Sequence, residues 1–293
     1  MKTVSKILIL ALIGLLGLGC SQSKIQQPYF AEGADPKPEA KQWILVDELS
    51  DEFEGNTLND AKWTLTGQKW IGRPPGLFVP ENIKVVNGTM QVTTVKLPEP
   101  VVKNNQTFTH GGGHVMSNNT MTYGYYECRM KANKTFMSST FWLYNSKEDG
   151  EGCDRRNTEL DIQEAVGQIV SEKPELQKFD DHMNFNTHSR NIEEGCDIQK
   201  GIIGGKAPVG AKVYDDFHVF GAWWKNKDEI LFFLDGKFVE KVKPAADFNL
   251  PMHIRMVVET YNWNPPPADG GMNMPAEDRT TYYDWVRAYK LVD

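Results

Sequence analysis

The segment NTELDIQEAVG, residues 157–167, places Glu159, Asp161 and Glu164 within six positions, among aliphatic residues of a kind that usually pack in a core. On a helix, Glu159 and Asp161 would point about 200° apart. On a regular strand these two share a face, but Glu164 falls on the other. One extra residue between Asp161 and Glu164, a β-bulge, would return Glu164 to the face of the first two. The segment therefore predicts a bulged strand that carries three carboxylates on one face.

The spacing of the outer two carboxylates fits one kind of chemistry. With the bulge in place, Glu159 and Glu164 are four strand steps apart, about 13 Å of backbone at ~3.3 Å per step. Side chains that lean toward each other would bring the carboxyl groups near the ~5–5.5 Å separation of a retaining glycosidase. An alternative stays open, in which acids that alternate with Leu160 and Ile162 form the solvent face of an amphipathic strand. That arrangement leaves three like charges repelling one another without a purpose.

The rest of the chain is also rich in strand patterns. Alternating runs flank Asn87-Gly88 and Asp235-Gly236, two turn dipeptides that indicate β-hairpins. Further strands are predicted in TYGYYECRMKA, STFWLYN, YDDFHVFGAWW, MHIRMVVET and TTYYDWVRAYKLV. This pattern predicts one all-β domain over residues 41–293, a β-jelly-roll sandwich of two antiparallel sheets. Long loops are expected at 67–82, 145–156, 171–183, 191–212 and 262–279, where binding residues tend to lie.

The amino terminus has the features of an export signal. Residues 1–19 contain two lysines followed by a short apolar run, and Cys20 comes next. We interpret this as a lipoprotein signal peptide with Cys20 as the lipidated residue; an ordinary secretory signal is the alternative. Residues 20–40 are polar and predict a flexible tether. The predicted protein is an exported monomer of the cell envelope, on the outer membrane or the periplasmic face, whose one membrane contact is its lipid anchor.

Composition and cysteine content narrow the partners further. The formal net charge of −7 over 293 residues argues against nucleic acid, which needs a basic surface. Cys128 lies in an alternating strand pattern and is expected to be a buried thiol. Cys153 and Cys196 lie in Gly- and acid-rich loops, and whether they form a disulfide stays open. None of the cysteine spacings suggests a zinc site.

Several motifs in order resemble one enzyme family. ELDIQE resembles the E-x-D-x-x-E signature of glycoside hydrolase family 16, a family of β-jelly-roll endoglycanases. The resemblance extends across residues 41–293, and further stretches that carry it are DEFEGNTLNDAKW, YGYYECRMKA followed by SSTFWL, DDFHVFGAWWKNKDEILFFLDGK and YYDWVRAYK. It implies an open substrate cleft on the concave face. It also implies that Glu159 is the nucleophile, Glu164 the general acid/base and Asp161 the assistant of the nucleophile, with no cofactor for catalysis.

The loops resemble one branch of that family, the agarases and porphyranases. The stretches concerned are WIGRPPGLFVPENI, HGGGHVMS, NTHSRNI and ETYNWNPPPADGGM. The main prediction is a β-agarase, a retaining endo-hydrolase of β-1,4-galactosidic bonds in red-algal galactans. The alternative is a β-porphyranase that acts on sulfated porphyran, and κ-carrageenan is less favoured. Two other hypotheses are a non-catalytic carbohydrate-binding jelly roll and a transglycosylase.

The same stretches supply candidate substrate-binding residues. Aromatic rings can stack on the apolar faces of pyranose rings, and the candidates are Trp70, Trp142 and Trp263. Charged side chains can hydrogen-bond hydroxyl groups in fixed directions, and the candidates are Arg73, His188, Arg190 and Glu259. Each of these residues also has a structural alternative, as a core aromatic or a loop-ordering ion pair. For porphyran, Arg73 or Arg190 would meet the 6-sulfate.

The resemblance also implies a structural calcium ion away from the cleft. Asp284 matches the side-chain ligand, and backbone carbonyls near Gly88 and Glu52 would accompany it. One carboxylate with carbonyl oxygens suits calcium, a hard ion.

Overall fold

Two β-sheets stack face to face in the computed structural model, which describes residues 26–65, 69–145, 152, 156–191 and 201–293. The first sheet runs, in spatial order, β16 (Lys237–Val242), β15 (Glu229–Leu234), β14 (His218–Asn226), β9 (Gly124–Lys131), β18 (Thr280–Val292), β6 (Thr89–Thr93) and β5 (Ile83–Val86), with β1 (Gln42–Leu45) also beside β18. The second runs β13 (Gly201–Pro208), β12 (His182–Asn191), β11 (Arg156–Val166), β10 (Ser138–Asn145), β17 (Met252–Val258), β8 (Gln106–Ser117), β4 (Gly76–Phe78) and β3 (Gly72–Arg73), with β2 (Trp63–Thr64) and β7 (Val95–Lys103) also paired to β8. Short 3-10 turns occur at Asp47–Leu49, Pro80–Asn82 and Pro174–Leu176. The predicted all-β sandwich is confirmed.

The strand pairs are antiparallel with one exception among the described residues, a parallel pairing of β4 with β8. Alternate residues of each strand fill the space between the sheets, as the period of two requires. Phe141, Ile162, Trp224 and Met256 are fully buried there. Cys128 is a buried free thiol in the same core, as its position in the alternating pattern predicts.

Both predicted hairpins are present and have the expected turns. Asn87 and Gly88, between β5 and β6, have φ values of 54° and 70°. Asp235 and Gly236, between β15 and β16, have φ values of 48° and 72°. Positive φ at both central residues is the property of the type I′ turn, whose twist matches that of the flanking strands.

Several stretches that we expected to be loops are strands. HGGGHVMS lies in β8, NTHSRNI lies largely in β12, and the expected loop 191–212 contains β13. Consecutive glycines hide the strand pattern of β8, because glycine is depleted in strands and has no side chain to alternate. The glycines are needed for close packing: a Cβ on Gly112 would lie 2.0 Å from the carbonyl oxygen of Val258 on β17.

The predicted tether, residues 20–40, is docked on the fold in its described part. The Tyr29 N–H donates to both carboxylate oxygens of Glu127, at 3.2 and 3.0 Å. The ring of Phe30 lies 4.7 Å from that of Tyr125. These contacts are on the face of the first sheet that is turned away from the core. The tether prediction is therefore wrong for this part, because an aromatic residue and a buried carboxylate hold the segment.

Some predictions fall on residues that are not described. The signal peptide, Cys20, Cys153 and Cys196 all lie outside the described residues. In the described part of the chain, no helix has the length and apolar character needed to cross a membrane.

Candidate active site

The predicted bulge is present in β11. Trp142 of β10 pairs with Asp161, whereas the preceding Phe141 pairs with Gln163, so Ile162 has no partner on β10. An unmatched residue on one strand of an antiparallel pair is a β-bulge. The structure thus confirms the extra residue between Asp161 and Glu164 that the alternation of side chains predicted.

The bulge brings three carboxylates to one cleft. Leu160 and Ile162 point into the core and are fully buried. Glu159, Asp161 and Glu164 line a cleft of about 340 Å³ on the opposite face of the second sheet. The solvent-face alternative is therefore wrong, because Asp161 is only 4% exposed.

All seven predicted substrate-binding residues line the same cleft: Trp70, Arg73, Trp142, His188, Arg190, Glu259 and Trp263. Sequence reasoning missed four further residues, Thr140, Asn186, Ile202 and Tyr261. Asn186 and Tyr261 lie inside two of the stretches that carry the resemblance. Tyr261 alternates with Glu259 and Trp263, and this spacing of two was a signal that could have identified it.

Glu159 is bound by a cation from the neighbouring strand. Arg190 Nη1 donates to Glu159 Oε2 at 2.9 Å, and Arg190 Nη2 donates to His188 Nδ1 at 3.1 Å. Because arginine can only donate, Nδ1 of His188 must accept, and the neutral imidazole carries its proton on Nε2. Burial lowers the pKa of His188, and the charge of Arg190 lowers it further, which agrees with a neutral ring.

Asp161 is the most confined of the three acids. Its Oδ2 lies 2.9 Å from His188 Nε2, yet the N–H is not aligned for a hydrogen bond, so this oxygen has no hydrogen-bond partner among the described residues. Burial raises the pKa of Asp161 well above its ordinary value, and the charges of Glu159 and Glu164 raise it further. A protonated Asp161 would place a neutral donor beside Glu159, which reduces charge repulsion in the cleft.

Glu164 receives two hydrogen bonds from different elements. The hydroxyl of Tyr261 donates to Oε1 at 2.8 Å, and Nδ2 of Asn186 donates to Oε2 at 3.2 Å. Burial raises the pKa of Glu164 and the charge of Glu159 adds to the rise, although both hydrogen bonds act against it. A carboxyl group with a raised pKa keeps its proton closer to neutral pH and can serve as a general acid.

A second arginine–glutamate pair lines the cleft. Nε of Arg73 is 3.2 Å from Oε2 of Glu259, which is 5% exposed. Burial raises the pKa of Glu259 to about 8, helped by the charges of Glu164 and Glu159 and opposed by Arg73. The raised pKa of Glu259 weakens its ion pair with Arg73 and leaves more of the guanidinium charge for a ligand.

Aromatic rings form the rest of the wall. Trp70 and Trp142 meet edge to face with centroids 6.1 Å apart, and both are partly exposed. Trp263 stacks on Tyr261 at 5.2 Å with 23° between the planes. Below Trp142, the guanidinium carbon of buried Arg255 is 5.1 Å from the ring centroid, a cation–π contact. Half-exposed rings around a polar floor suit the flat apolar faces of sugars.

Among the described residues, the cleft contains one group of side chains with the spacing of a metal site. Glu159, Asp161 and His188 have ligand atoms within 4.8 Å of one another, close enough to hold an ion. Arg190 puts a positive charge against Glu159, which opposes a second cation there.

The predicted side-chain ligand of calcium lies elsewhere and is engaged with an arginine. Asp284 Oδ2 accepts from Arg129 Nη1 at 2.5 Å. A calcium ion would have to compete with this arginine for Asp284, and the companions expected near Gly88 and Glu52 are backbone carbonyls, which this contact does not test. The calcium ion stays a prediction that this contact does not support.

The fold and the site together define a class. A β-sandwich with three carboxylates in an open, aromatic-walled cleft is the arrangement of a glycoside hydrolase that acts within a polysaccharide chain. A family model described as "Beta-porphyranase A-D, GH16 domain" matches residues 43–291. The chain belongs to this family within glycoside hydrolase family 16, and it is an endo-acting glycoside hydrolase.

Individual relatives place the chain within the branch. It is 61% identical over 268 residues to "Beta-porphyranase B" of Zobellia galactanivorans, covering 92% of each chain. The crystal structure of porphyranase B from that organism superposes with a TM-score of 0.90, covering 92% of this chain and 100% of that one. "Beta-agarase AgaA" of Microbulbifer thermotolerans is 27% identical, covering 86% of this chain and 60% of the relative. The family resemblance is confirmed, and the comparisons favour the alternative, a porphyranase, over the main prediction of an agarase.

Proposed function

We propose that the protein is a β-porphyranase, a retaining endo-hydrolase of β-1,4-galactosidic bonds in sulfated red-algal porphyran. The bulged strand that brings three carboxylates into one cleft carries the hydrolase part of the proposal. The substrate part is supported by the 61% identity to a β-porphyranase, against 27% to a β-agarase. An anionic substrate also agrees with a cleft that presents two arginines.

The first half of the reaction uses Glu159 and Glu164 together. Glu159 attacks the anomeric carbon, and the new carbon–oxygen bond forms as the glycosidic bond breaks. Glu164 gives its proton to the departing oxygen, which leaves as a hydroxyl group. Arg190 donates to Glu159 and places a positive charge against the attacking carboxylate, and Asp161, whose pKa burial raises, lines the same cleft.

The second half releases the sugar. Glu164, now ionised, takes a proton from water as the water oxygen attacks the anomeric carbon. The bond to Glu159 breaks, and its carboxylate is restored. Two inversions at one carbon give net retention of configuration.

The sulfate group would meet Arg73 rather than Arg190. Arg190 already donates to Glu159 and to His188. Arg73 contacts Glu259 through Nε, and among the described residues nothing hydrogen-bonds its Nη groups. Because guanidinium groups bind sulfate-like oxyanions through paired N–H donors, those free groups are suited to the 6-sulfate.

Product analysis tests the proposal. The purified protein is incubated with porphyran, agarose, κ-carrageenan and laminarin, and the oligosaccharides are identified by mass and by NMR of the new reducing ends. We expect release from porphyran with β-configured ends formed first, and none with Glu159→Gln. Faster release from agarose than from porphyran would restore the agarase hypothesis, and transfer to an added acceptor sugar would indicate a transglycosylase. Porphyran binding by wild-type protein without any products would indicate a binding module.

We also propose that the protein is exported and lipidated. Export with a lipid on Cys20 would hold the enzyme at the cell envelope, where a large algal polysaccharide is accessible. This part is supported by the sequence of residues 1–20 alone.

A further inference from the structure

Tyr261 makes the shorter of the two hydrogen bonds that the Glu164 carboxyl group accepts from described residues. Its hydroxyl donates to Glu164 Oε1 at 2.8 Å, while the Asn186 amide lies farther from the other oxygen, at 3.2 Å. The Tyr261 side chain is 6% exposed, so the hydrogen bond is shielded from water. A hydrogen bond to a carboxylate in such a setting is stronger than one in solvent.

Two neighbouring side chains contact the ring of Tyr261. Trp263 stacks on it at 5.2 Å, and the guanidinium carbon of Arg73 is 5.4 Å from its centroid. Its backbone carbonyl accepts from the N–H of Asn264 at 3.0 Å. The Asn264 amide donates in turn to the carbonyl oxygens of Phe136 and Gln168, at 2.9 and 3.0 Å.

We propose that Tyr261 is a positioning residue for the general acid/base, a role that rests on the proposed function of Glu164. The donor on Oε1 fixes the rotation of the carboxyl group, so that Oε2, which accepts only the longer hydrogen bond from Asn186, carries the proton that is transferred. Tyr261 also stabilises the ionised form of Glu164, the form that must activate water in the second half of the reaction. Tyr261 itself neither gives nor takes a proton.

Several groups face Glu164 and set the direction of the expected effect. The titratable and charged neighbours are Glu159 and Asp161 on β11, His188 on β12, and Glu259 and Tyr261 after β17. Burial and the charge of Glu159 raise the pKa of Glu164, whereas the hydrogen bond from Tyr261 lowers it. Removing only the hydroxyl group should therefore raise this pKa further.

The test is the pH dependence of kcat/KM for Tyr261→Phe with porphyran. The alkaline limb of that profile reports the group that must be protonated to act as general acid. We expect the limb to move to higher pH by about one unit, because the free energy of a hydrogen bond to a charged group corresponds to a pKa change of about one unit. We also expect kcat on the plateau to fall about tenfold, because the carboxyl group loses its fixed orientation. A lower rate at every pH with an unmoved limb would overturn the inference.

Tyr144→Phe is the matched control. Tyr144, on β10, pairs with Glu159 of β11. The charges that act on its hydroxyl group are those of Glu159, Arg190 and Arg255, and it makes no hydrogen bond to Glu164. Its substitution should leave the alkaline limb where it is. Should Tyr261→Phe not fold, a fluorinated tyrosine at position 261 tests the same point: a stronger donor should move the limb to lower pH, and an unmoved limb counts against the role.

A double variant separates this inference from the proposed function. In a Glu164→Ala background, adding Tyr261→Phe should cost nothing more, because Tyr261 acts through the missing carboxyl group. A further loss there would assign Tyr261 a role of its own. Full activity of Glu164→Ala alone would instead refute the proposed function.

Discussion

At the residue scale, the two outer glutamates share one cleft but have different surroundings. Glu159 is paired with Arg190, whereas Glu164 is held by neutral donors, Tyr261 and Asn186. A cation favours the ionised carboxylate needed for nucleophilic attack, and burial without a cation favours the protonated form. These contacts support the proposed division of roles between nucleophile and acid/base.

Glu164→Ala is the direct test of that division. We expect kcat on porphyran to fall by roughly three orders of magnitude, since general acid–base catalysis contributes about 10²–10⁴-fold. With a porphyran-derived aryl glycoside, whose leaving group needs no proton, azide should restore the second half of the reaction and give a β-glycosyl azide. The azide product is identified by mass spectrometry and NMR. Glu159→Gln is the control, because azide should not restore formation of the β-glycosyl azide in a variant that lacks the nucleophile. No response of Glu164→Ala to azide would contradict the assignment of Glu164 as acid/base.

Arg73 gives a residue-scale test of the substrate. Replacing Arg73 with Gln should lower kcat/KM on porphyran by about ten- to a hundredfold, the value of one charge-assisted contact. Hydrolysis of agarose, which lacks the sulfate, should fall much less, by the smaller loss expected because Arg73 also packs on the Tyr261 ring. Because burial already raises the pKa of Glu259 to about 8, loss of Arg73 should favour the neutral carboxyl group rather than strand a buried charge. Rates on both polysaccharides are compared for wild type, Arg73→Gln and Arg73→Lys; an equal loss on both would remove the sulfate contact from Arg73.

At the element scale, parity decides what β11 presents to the cleft. Ile162 points into the core without a partner on β10, and Gln163, the second residue of the bulge, pairs with Phe141. Gln163 accepts from the Asn184 N–H at 3.0 Å and is fully buried. If one residue of the bulge were removed, β11 would be a regular strand, and the alternation of its side chains would still point Glu164 into the cleft.

Two single-residue deletions test this reasoning. Deleting Gln163 should preserve the fold and measurable hydrolysis of porphyran, with a loss of about 1–3 kcal/mol in stability from the unpaired Asn184 N–H. Deleting Leu160 removes the same number of residues but puts Glu159 and Asp161 on opposite faces, and should abolish hydrolysis. Circular dichroism, thermal unfolding and product release are measured for both. A folded Gln163 deletion without any activity would show that the twist of the bulge, beyond parity, positions Glu164.

The element scale also shows what the sequence could and could not reveal. The bulge and both hairpins depend on neighbours within a few residues, so alternation and turn dipeptides were sufficient to predict them. The glycine-rich part of β8 was predicted to be a loop. Its glycines allow close packing against β17, which is remote in sequence, so no local pattern shows that they belong to a strand. The hydrogen bond from Tyr261 to Glu164 spans 97 positions, and no local pattern records it. The cleft residues were identified by resemblance to a family, whereas their partners required coordinates.

At the scale of the whole molecule, the two outer faces have separate tasks. The cleft is on the outer face of the second sheet, and the segment around Tyr29 and Phe30 covers the outer face of the first. Glu127 lies beneath that segment and is completely buried. A charge at this place affects the stability of the fold and leaves the cleft untouched.

Glu127 therefore gives a prediction for stability against pH. Burial raises its pKa to about 8 from an ordinary value of 4.5, against the opposing effects of the Tyr29 N–H and the charge of Arg287. The folded state thus holds this proton more tightly than the unfolded state. The resulting stabilisation is complete below about pH 4.5 and is lost as the pH rises to about 8.

Glu127→Gln stays neutral across this pH window. Its free energy of unfolding should therefore fall less steeply with pH than that of wild type, and the two slopes should differ by up to about 1.4 kcal/mol per pH unit. Urea unfolding at a series of pH values measures the slopes, and hydrolysis of porphyran, which should be unchanged, shows that the cleft is intact. Equal slopes for the two proteins would mean that Glu127 is already ionised within the fold and that Tyr29 and Arg287 outweigh its burial.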